Sequence, residues 1–137
     1  MSWLLDTCVL SEPARKTPDP RVVQWLADQA EDELFISVLT LGELWKGAAL
    51  LPEGGKRRQI LSWLQRDIRQ RFEGRILPVD ETVSLAWGQL LADAGRPLPA
   101  IDSLIAATAV AHQLTVATRN TEDMADTGAA VFNPWKG

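Results

Sequence analysis

Trp3-Leu4-Leu5-Asp6-Thr7-Cys8-Val9-Leu10 runs apolar into a single carboxylate and then apolar again. A short apolar run bounded by a polar break suits a buried strand, although periodicity alone does not separate strand from buried helix. Read as a central parallel strand, it delivers Asp6 to its carboxyl end, the edge where open α/β sheets bind ligands. The function then depends on which other residues reach that edge.

The chain has 137 residues, the length of one domain, and residues 1–137 are read as such. Apolar residues make up 46% and charged residues 23%, the balance of an ordinary globular protein. A net charge of −4 argues against a general polyanion-coating role, which calls for a basic balance. It leaves room for a nuclease, because a metal site needs only local carboxylates. The single cysteine, Cys8, excludes an internal disulfide and suits a reducing, cytoplasmic location. Its expected role is that of a small buried hydrophobe. The N-terminus lacks a basic n-region and carries Asp6 inside its apolar stretch, so no signal peptide is expected. No run approaches the roughly 18 uncharged apolar residues of a membrane span. With His112 the one histidine, a histidine-rich zinc site is excluded.

After the opening run, residues 12–20 read as a proline-punctuated loop, with Asp19 and Pro20 as N-cap and first position of a helix. Residues 34–38 read as a second strand, continuous rather than alternating in its hydrophobicity. A helix over 40–51 ends at Pro52-Glu53-Gly54-Gly55. A long amphipathic helix follows, with Ile60, Leu61, Leu64, Ile68 and Phe72 on one face and Gly74 at its end. Residues 75–79 read as a third strand, and Asp80 as the N-cap of helix Glu81–Ala94. A rigid loop over 95–99 precedes Ala100–His112, a helix apolar enough to be buried on most of its surface. Residues 115–118 and 129–132 read as the last strands, with a helical turn between them. Strands alternating with helices predict an α/β sandwich over a mostly parallel sheet, with right-handed crossovers.

In that topology strand ends and the starts of the following helices share one edge. Asp6 follows the first strand, Glu43 lies early in the helix after the second, and Asp123 follows the fourth. Asp102 opens the buried helix and reaches the same edge if the 95–99 loop returns the chain there. Each has an ordinary alternative. Asp6 serves equally well as a helix cap, and Glu43 shares a polar stripe with Thr40 and Lys46 of the kind that faces solvent. Asp102 complements a helix dipole, and Asp123 fits the third position of a turn capped by Asn120. Yet Asp102 sits on a helix with almost no other polar surface, where a semi-buried charge needs a partner. Four carboxylates at one edge suit magnesium or manganese, hard cations that take carboxylates and water. Without a cation, crowded carboxylates repel and raise at least one pKa. A bound metal orients a phosphodiester, helps generate hydroxide and stabilises the leaving oxygen.

Four segments together resemble the PIN-domain ribonucleases, and within them the VapC/FitB-like toxins of type II toxin–antitoxin pairs. They are Leu5-Asp6-Thr7; Leu41-Gly42-Glu43-Leu44 with Lys46-Gly47; residues 99–109 around Asp102; and Thr118-Arg119-Asn120-Thr121-Glu122-Asp123-Met124. The resemblance spans essentially the whole chain, with Met124 departing from the aromatic that relatives often carry there. It implies a PIN-like α/β/α sandwich with a five-stranded, mostly parallel sheet. It further implies a Mg2+- or Mn2+-dependent endoribonuclease whose pocket is formed by Asp6, Glu43, Asp102 and Asp123. Asp6 and Asp102 would be the principal metal ligands, with Glu43 and Asp123 completing the site. Thr118 and Asn120 would support it by hydrogen bonding. The implied partners are an RNA substrate, a small DNA-binding antitoxin of the VapB-like kind and a second copy of the chain in a homodimer.

Arg15 and Lys16, on the loop near Asp6, and Lys46, beside Glu43, are candidate RNA contacts. The basic segment 53–75 is a further one, set against its reading as a solvated helical face. Six tryptophans are expected mostly in the core, some at an interface. Two other classes compete. A non-catalytic RNA- or protein-binding module on the same fold is opposed by the intact acidic quartet. An aspartyl-nucleophile phosphatase fails because Asp6-Thr7-Cys8 lacks a second aspartate two residues on.

Overall fold

The computed structural model describes residues 1–137, and in it the opening run divides at Asp6. Trp3–Leu5 is strand β1, and Thr7–Ser11 is already a short helix, α1. Both alternatives left open by periodicity are therefore present, one on each side of the carboxylate. Asp6 makes the break itself: its Oδ1 accepts the Thr7 N–H at 2.9 Å and caps α1. The expected loop then holds a 3-10 turn, Glu12–Ala14, before α2, Pro20–Asp28, which is capped by Asp19 as anticipated.

Strand β2, Leu34–Ser37, stops one residue short of expectation because Ser37 turns the chain. Its hydroxyl accepts the Leu39 N–H at 3.0 Å, so Val38 already belongs to helix α3, Val38–Ala49. The long amphipathic segment is helical in three parts. These are α4, Gly55–Ser62; a π-helical stretch, Trp63–Ile68; and α5, Arg69–Arg71. Strand β3 is Ile76–Leu77. Helices α6, Glu81–Ala94, and α7, Ala100–His112, have the anticipated bounds. Asp80 caps α6 through the Val83 N–H at 3.0 Å, and Gly95 ends it at φ +66°, a conformation that suits glycine. Strand β4, Thr115–Ala117, leads to helix α8, Thr121–Met124, and to strand β5, Val131–Phe132.

The five strands pair in parallel in the order β3-β2-β1-β4-β5. This is an α/β sandwich with an all-parallel sheet, and β1 is its centre. Chain order reverses between β1 and β4, which opens a crevice at their carboxyl ends. Side chains alternate across a strand, so Trp3 and Leu5 enter one core with Val9, Val22, Ile36, Ile68 and Phe72. Leu4 enters the opposite core with Ile105, Ala109, Val116 and Met124. Leu4 and Leu5 are both fully buried, which explains the unbroken apolar run: a strand covered on both faces has no solvent side. Helices α6 and α7 pack through a third cluster that includes Val83, Leu90, Ala106 and Ala107. Trp87 Nε1 donates to Ser103 Oγ at 2.9 Å across that interface, one residue from Asp102.

Of the tryptophans, Trp3 and Trp135 are buried, Trp25, Trp63 and Trp87 are half-buried, and Trp45 is exposed. No helix is long and apolar enough to cross a membrane.

Candidate metal centre

The β1–β4 register places Leu5 beside Ala117, and the Asp6 N–H extends the ladder by donating to the Ala117 carbonyl at 3.0 Å. The next residue on β4 is Thr118, so register alone brings its hydroxyl to Asp6. Thr118 Oγ1 donates to Asp6 Oδ2 at 2.7 Å, and both residues are buried. The same hydroxyl accepts the Asn120 N–H at 3.0 Å. Asn120 thus reaches Thr118 through its backbone only, and its side chain does not cap α8. Asp6 is at once helix cap and buried carboxylate, and capping through Oδ1 does not exclude a ligand role.

Glu43 projects from α3 to Thr7, whose Oγ1 donates to Glu43 Oε1 at 2.7 Å. The buried Thr40 hydroxyl stands 3.4 Å from the same Thr7 oxygen. The stripe Thr40, Glu43, Lys46 is therefore no uniform solvent face. Its first member is buried against α1, while Glu43 and Lys46 are exposed. Asp123 lies exposed on α8, and Asp102 is half-buried in the first turn of α7.

Electrostatics tie the four together. The Asp102 carboxyl is raised above its ordinary value of 3.8, first by loss of water on burial and then by repulsion from Asp6, Asp123 and Glu43. Helix α7 leads into β4, which is parallel to β1, and packs against α8, so its start lies toward the carboxyl edge of the sheet. The charges of Asp6, Asp123 and Glu43 act on Asp102, but no three of the four carboxylates are gathered closely enough to hold a metal ion as they stand. Open, all-oxygen and negatively charged, the set fits magnesium or manganese, which keep several waters and use few protein carboxylates. Cys8 Sγ lies 3.9 Å from Asp6 Oδ2, and burial together with the Asp6 charge pushes its thiol up. It remains a protonated, unreactive neighbour.

The candidate RNA-contacting residues are spread more widely. Arg15 and Lys16 line a small cleft with Lys56, although Arg15 also pairs with Glu12 at 3.0 Å. Lys46 does not line the groove that passes Glu43, whereas Lys56 does. That groove, about 620 Å³, has an apolar wall that includes Leu44, Leu51, Ile60 and Trp63. Within the basic segment 53–75, Arg71 is bound to Glu31 at 2.6 Å, and Arg75 donates to the Glu31 and Leu34 carbonyls at 2.5 Å each. Both lie against the Phe72 ring, so these two arginines anchor α5 to the turn before β2.

Thr7 and Thr40 escaped residue-level selection. The signal for Thr7 was its place directly after Asp6. The signal for Thr40 was its spacing of three from Glu43.

The PIN domain family model matches residues 3–129. Toxin FitB of Neisseria gonorrhoeae is 44% identical over 135 residues, covering 96% of this chain and 97% of FitB. The crystal structure of FitAcB from that organism superposes with a TM-score of 0.92 over 97% of this chain and 98% of that one, at 44% identity. VapC ribonuclease Y4jK of Sinorhizobium fredii is 37% identical, with 97% of each chain covered. A toxin–antitoxin complex from Klebsiella pneumoniae matches at 26% identity with a TM-score of 0.73, over 97% of this chain and 98% of that one. With its parallel sheet, its acidic edge and a match along nearly its full length, this chain belongs to the PIN-domain family and, within it, to the VapC/FitB toxins.

Proposed function

We propose that the chain is a Mg2+- or Mn2+-dependent endoribonuclease, the toxin of a type II toxin–antitoxin pair. One observation carries the chemistry: burial, and after it the charges of Asp6, Asp123 and Glu43 from separate elements, raise the Asp102 carboxyl. Such repulsion persists in a folded protein only where something compensates for it, and a divalent cation does so. VapC ribonuclease Y4jK, a relative over nearly the whole chain, supports the reaction class.

In this reading Asp6 and Asp102 hold the cation. Such an ion, held there, would supply Lewis-acid charge for phosphodiester hydrolysis. Thr118 keeps the Asp6 carboxylate oriented by its 2.7 Å hydrogen bond. Glu43 is fixed through Oε1 by Thr7, which leaves Oε2 to align the attacking water and accept its proton. Asp123 completes the charge on the open side.

An antitoxin and a second copy of the chain are the proposed protein partners. The Klebsiella structure, a toxin–antitoxin complex, supports the first. So does the groove beside Glu43, whose apolar wall suits a partner's side chains.

Purified native protein and Asp6→Asn, compared on RNA with magnesium and with chelator, test the reaction. Native cleavage that needs metal, and is lost in the variant, is expected. Equal cleavage by both proteins would remove Asp6 from the site. No metal-dependent cleavage by the native chain would favour the non-catalytic binding module.

A further inference from the structure

Trp135 is the one apolar residue lining a cleft of about 470 Å³ whose other walls include Arg119, Asn120, Asp123, Asn133 and Lys136. The volume falls within the range of about 300–1,000 Å³ typical of ligand sites. The cleft is built by strand ends. The Thr118 N–H donates to the Phe132 carbonyl at 2.9 Å, so the segments after β4 and β5 emerge side by side. Asn133 then folds the following turn, accepting the Trp135 N–H on its side chain at 2.8 Å and the Lys136 N–H on its carbonyl at 3.1 Å.

Two features set this cleft apart from an ordinary charged surface. The Arg119 guanidinium carbon lies 4.4 Å from the centroid of the Trp135 ring, itself only 4% exposed. Stacking on a fixed indole holds the guanidinium in place. Neither Arg119 nor Lys136 forms a salt bridge, whereas Arg21 in the same cleft is bound to Asp19 at 2.8 Å. Two cations, one of them pre-oriented, thus have no directly bonded carboxylate, although the Arg119 charge reaches Glu12 and Asp19 and the cleft also holds Glu122. The Trp135 indole N–H is buried and has no acceptor.

We infer that this cleft is a phosphate-holding subsite for single-stranded RNA, with Arg119 and Lys136 gripping a backbone phosphate near the one that is cut. The inference rests on the nuclease reading of the acidic centre, which it deepens. Asp123 and Asn120 line the cleft, so it adjoins that centre. A planar guanidinium matches phosphate in two-pronged geometry, and a wall with one apolar residue offers little to an apolar peptide. A cation pair at this point fixes strand register without reading a base, as backbone contacts do in nucleic-acid complexes.

The test uses the full chain carrying Asp6→Asn, so that RNA is bound without being cleaved. Binding of a fluorescent single-stranded oligoribonucleotide is measured by anisotropy across a salt series, with and without Arg119→Ala and Lys136→Ala together. The pair of substitutions is expected to weaken binding at least about tenfold at low salt and to reduce the slope of log affinity against log salt by about 0.7, the loss of one neutralised phosphate. Arg119→Lys keeps the charge and is expected to retain the slope. In the active background the pair should raise KM more than it lowers kcat. Unchanged affinity and slope, or a loss of affinity independent of salt, would overturn the subsite. Native cleavage of RNA with KM unaltered by the pair would overturn it alone. A native chain that neither binds nor cleaves RNA would overturn the nuclease reading with it.

Discussion

Thr118 Oγ1 donates to Asp6 Oδ2 at 2.7 Å between two buried residues that neighbouring parallel strands bring together. Hydrogen bonds to charged groups contribute about 1.5–3 kcal/mol, and partners that orient a metal ligand typically change metal affinity by about 10–100-fold. Thr118→Val, close in shape but without the hydroxyl, should lose stability in that range and weaken manganese binding by one to two orders of magnitude. Thr118→Ser should restore both. Calorimetric titration with Mn2+ checks this, and native affinity in Thr118→Val would show that Asp6 needs no such support.

Asp102 links the centre to pH. Its folded-state pKa lies above the ordinary 3.8 because burial and the charges of Asp6, Asp123 and Glu43 oppose ionisation. The folded chain therefore binds this proton more tightly than the unfolded chain does. Metal-free stability should fall as pH rises from 3.8 through the raised value. Asp102→Asn should remove that contribution, leave the metal-free protein with a higher Tm at neutral pH, and abolish the rise in Tm that Mg2+ gives the native chain. Thermal melts with chelator and with Mg2+, between acid and neutral pH, decide it. A lower Tm for the metal-free variant at neutral pH would mean that the carboxylate is stabilising where it stands.

Helices α6 and α7 were legible to the residue because their ends carry local chemistry: the Asp80 cap, Gly95, and the prolines of the 95–99 loop. Boundaries inside continuous apolar runs were less legible. At Asp6 and Ser37 hydrophobicity does not change as strand becomes helix, and only a capping side chain marks the switch. The placing of Asp6, Glu43 and Asp123 after strand ends was legible because parallel topology sends strand ends and helix starts to one edge, whereas that of Asp102 depended on the course of the 95–99 loop. Topology does not state register, so the meeting of Thr118 with Asp6 and of Thr7 with Glu43 appears only in three dimensions. The Arg119–Trp135 stack is more remote still, since its partners come from the ends of different strands.

Glu12 shows the opposite linkage. It is 2% exposed, accepts the Asp19 N–H at 2.9 Å and pairs with Arg15 at 3.0 Å, tying the start of the loop to the cap of α2. The backbone hydrogen bond and then Arg15 hold its carboxyl below the ordinary 4.5. Its stabilising contribution is therefore complete above 4.5 and is lost as pH falls through the lower folded value. Glu12→Ala, which strips the Asp19 N–H of its acceptor, should cost about 1–3 kcal/mol at neutral pH. It should also flatten the acid limb of stability against pH. Denaturant melts at several pH values test both effects. A neutral-pH stability equal to that of the native chain would show that water replaces the carboxylate without penalty.

Thr7 and Glu43 separate orientation from charge in the proposed reaction. If Glu43 accepts the proton of the attacking water, Glu43→Gln should lower kcat by about 100–10,000-fold, the usual contribution of a general base. Thr7→Val leaves the carboxylate but removes the 2.7 Å hydrogen bond that fixes Oε1. Its kcat should fall less than that of Glu43→Gln, and Thr7→Ser should restore it. Because Thr7 is only half-buried and packs as part of α1, a valine of similar shape should leave the fold intact. Combining Thr7→Val with Glu43→Gln tests the coupling directly. If Thr7 acts only through Glu43, the double variant should be no slower than Glu43→Gln alone. Steady-state cleavage of a labelled RNA in Mg2+ supplies the four rates of the cycle. Fully additive losses would assign Thr7 a role independent of Glu43, and an unchanged rate in Glu43→Gln would remove the proton-accepting step from this residue.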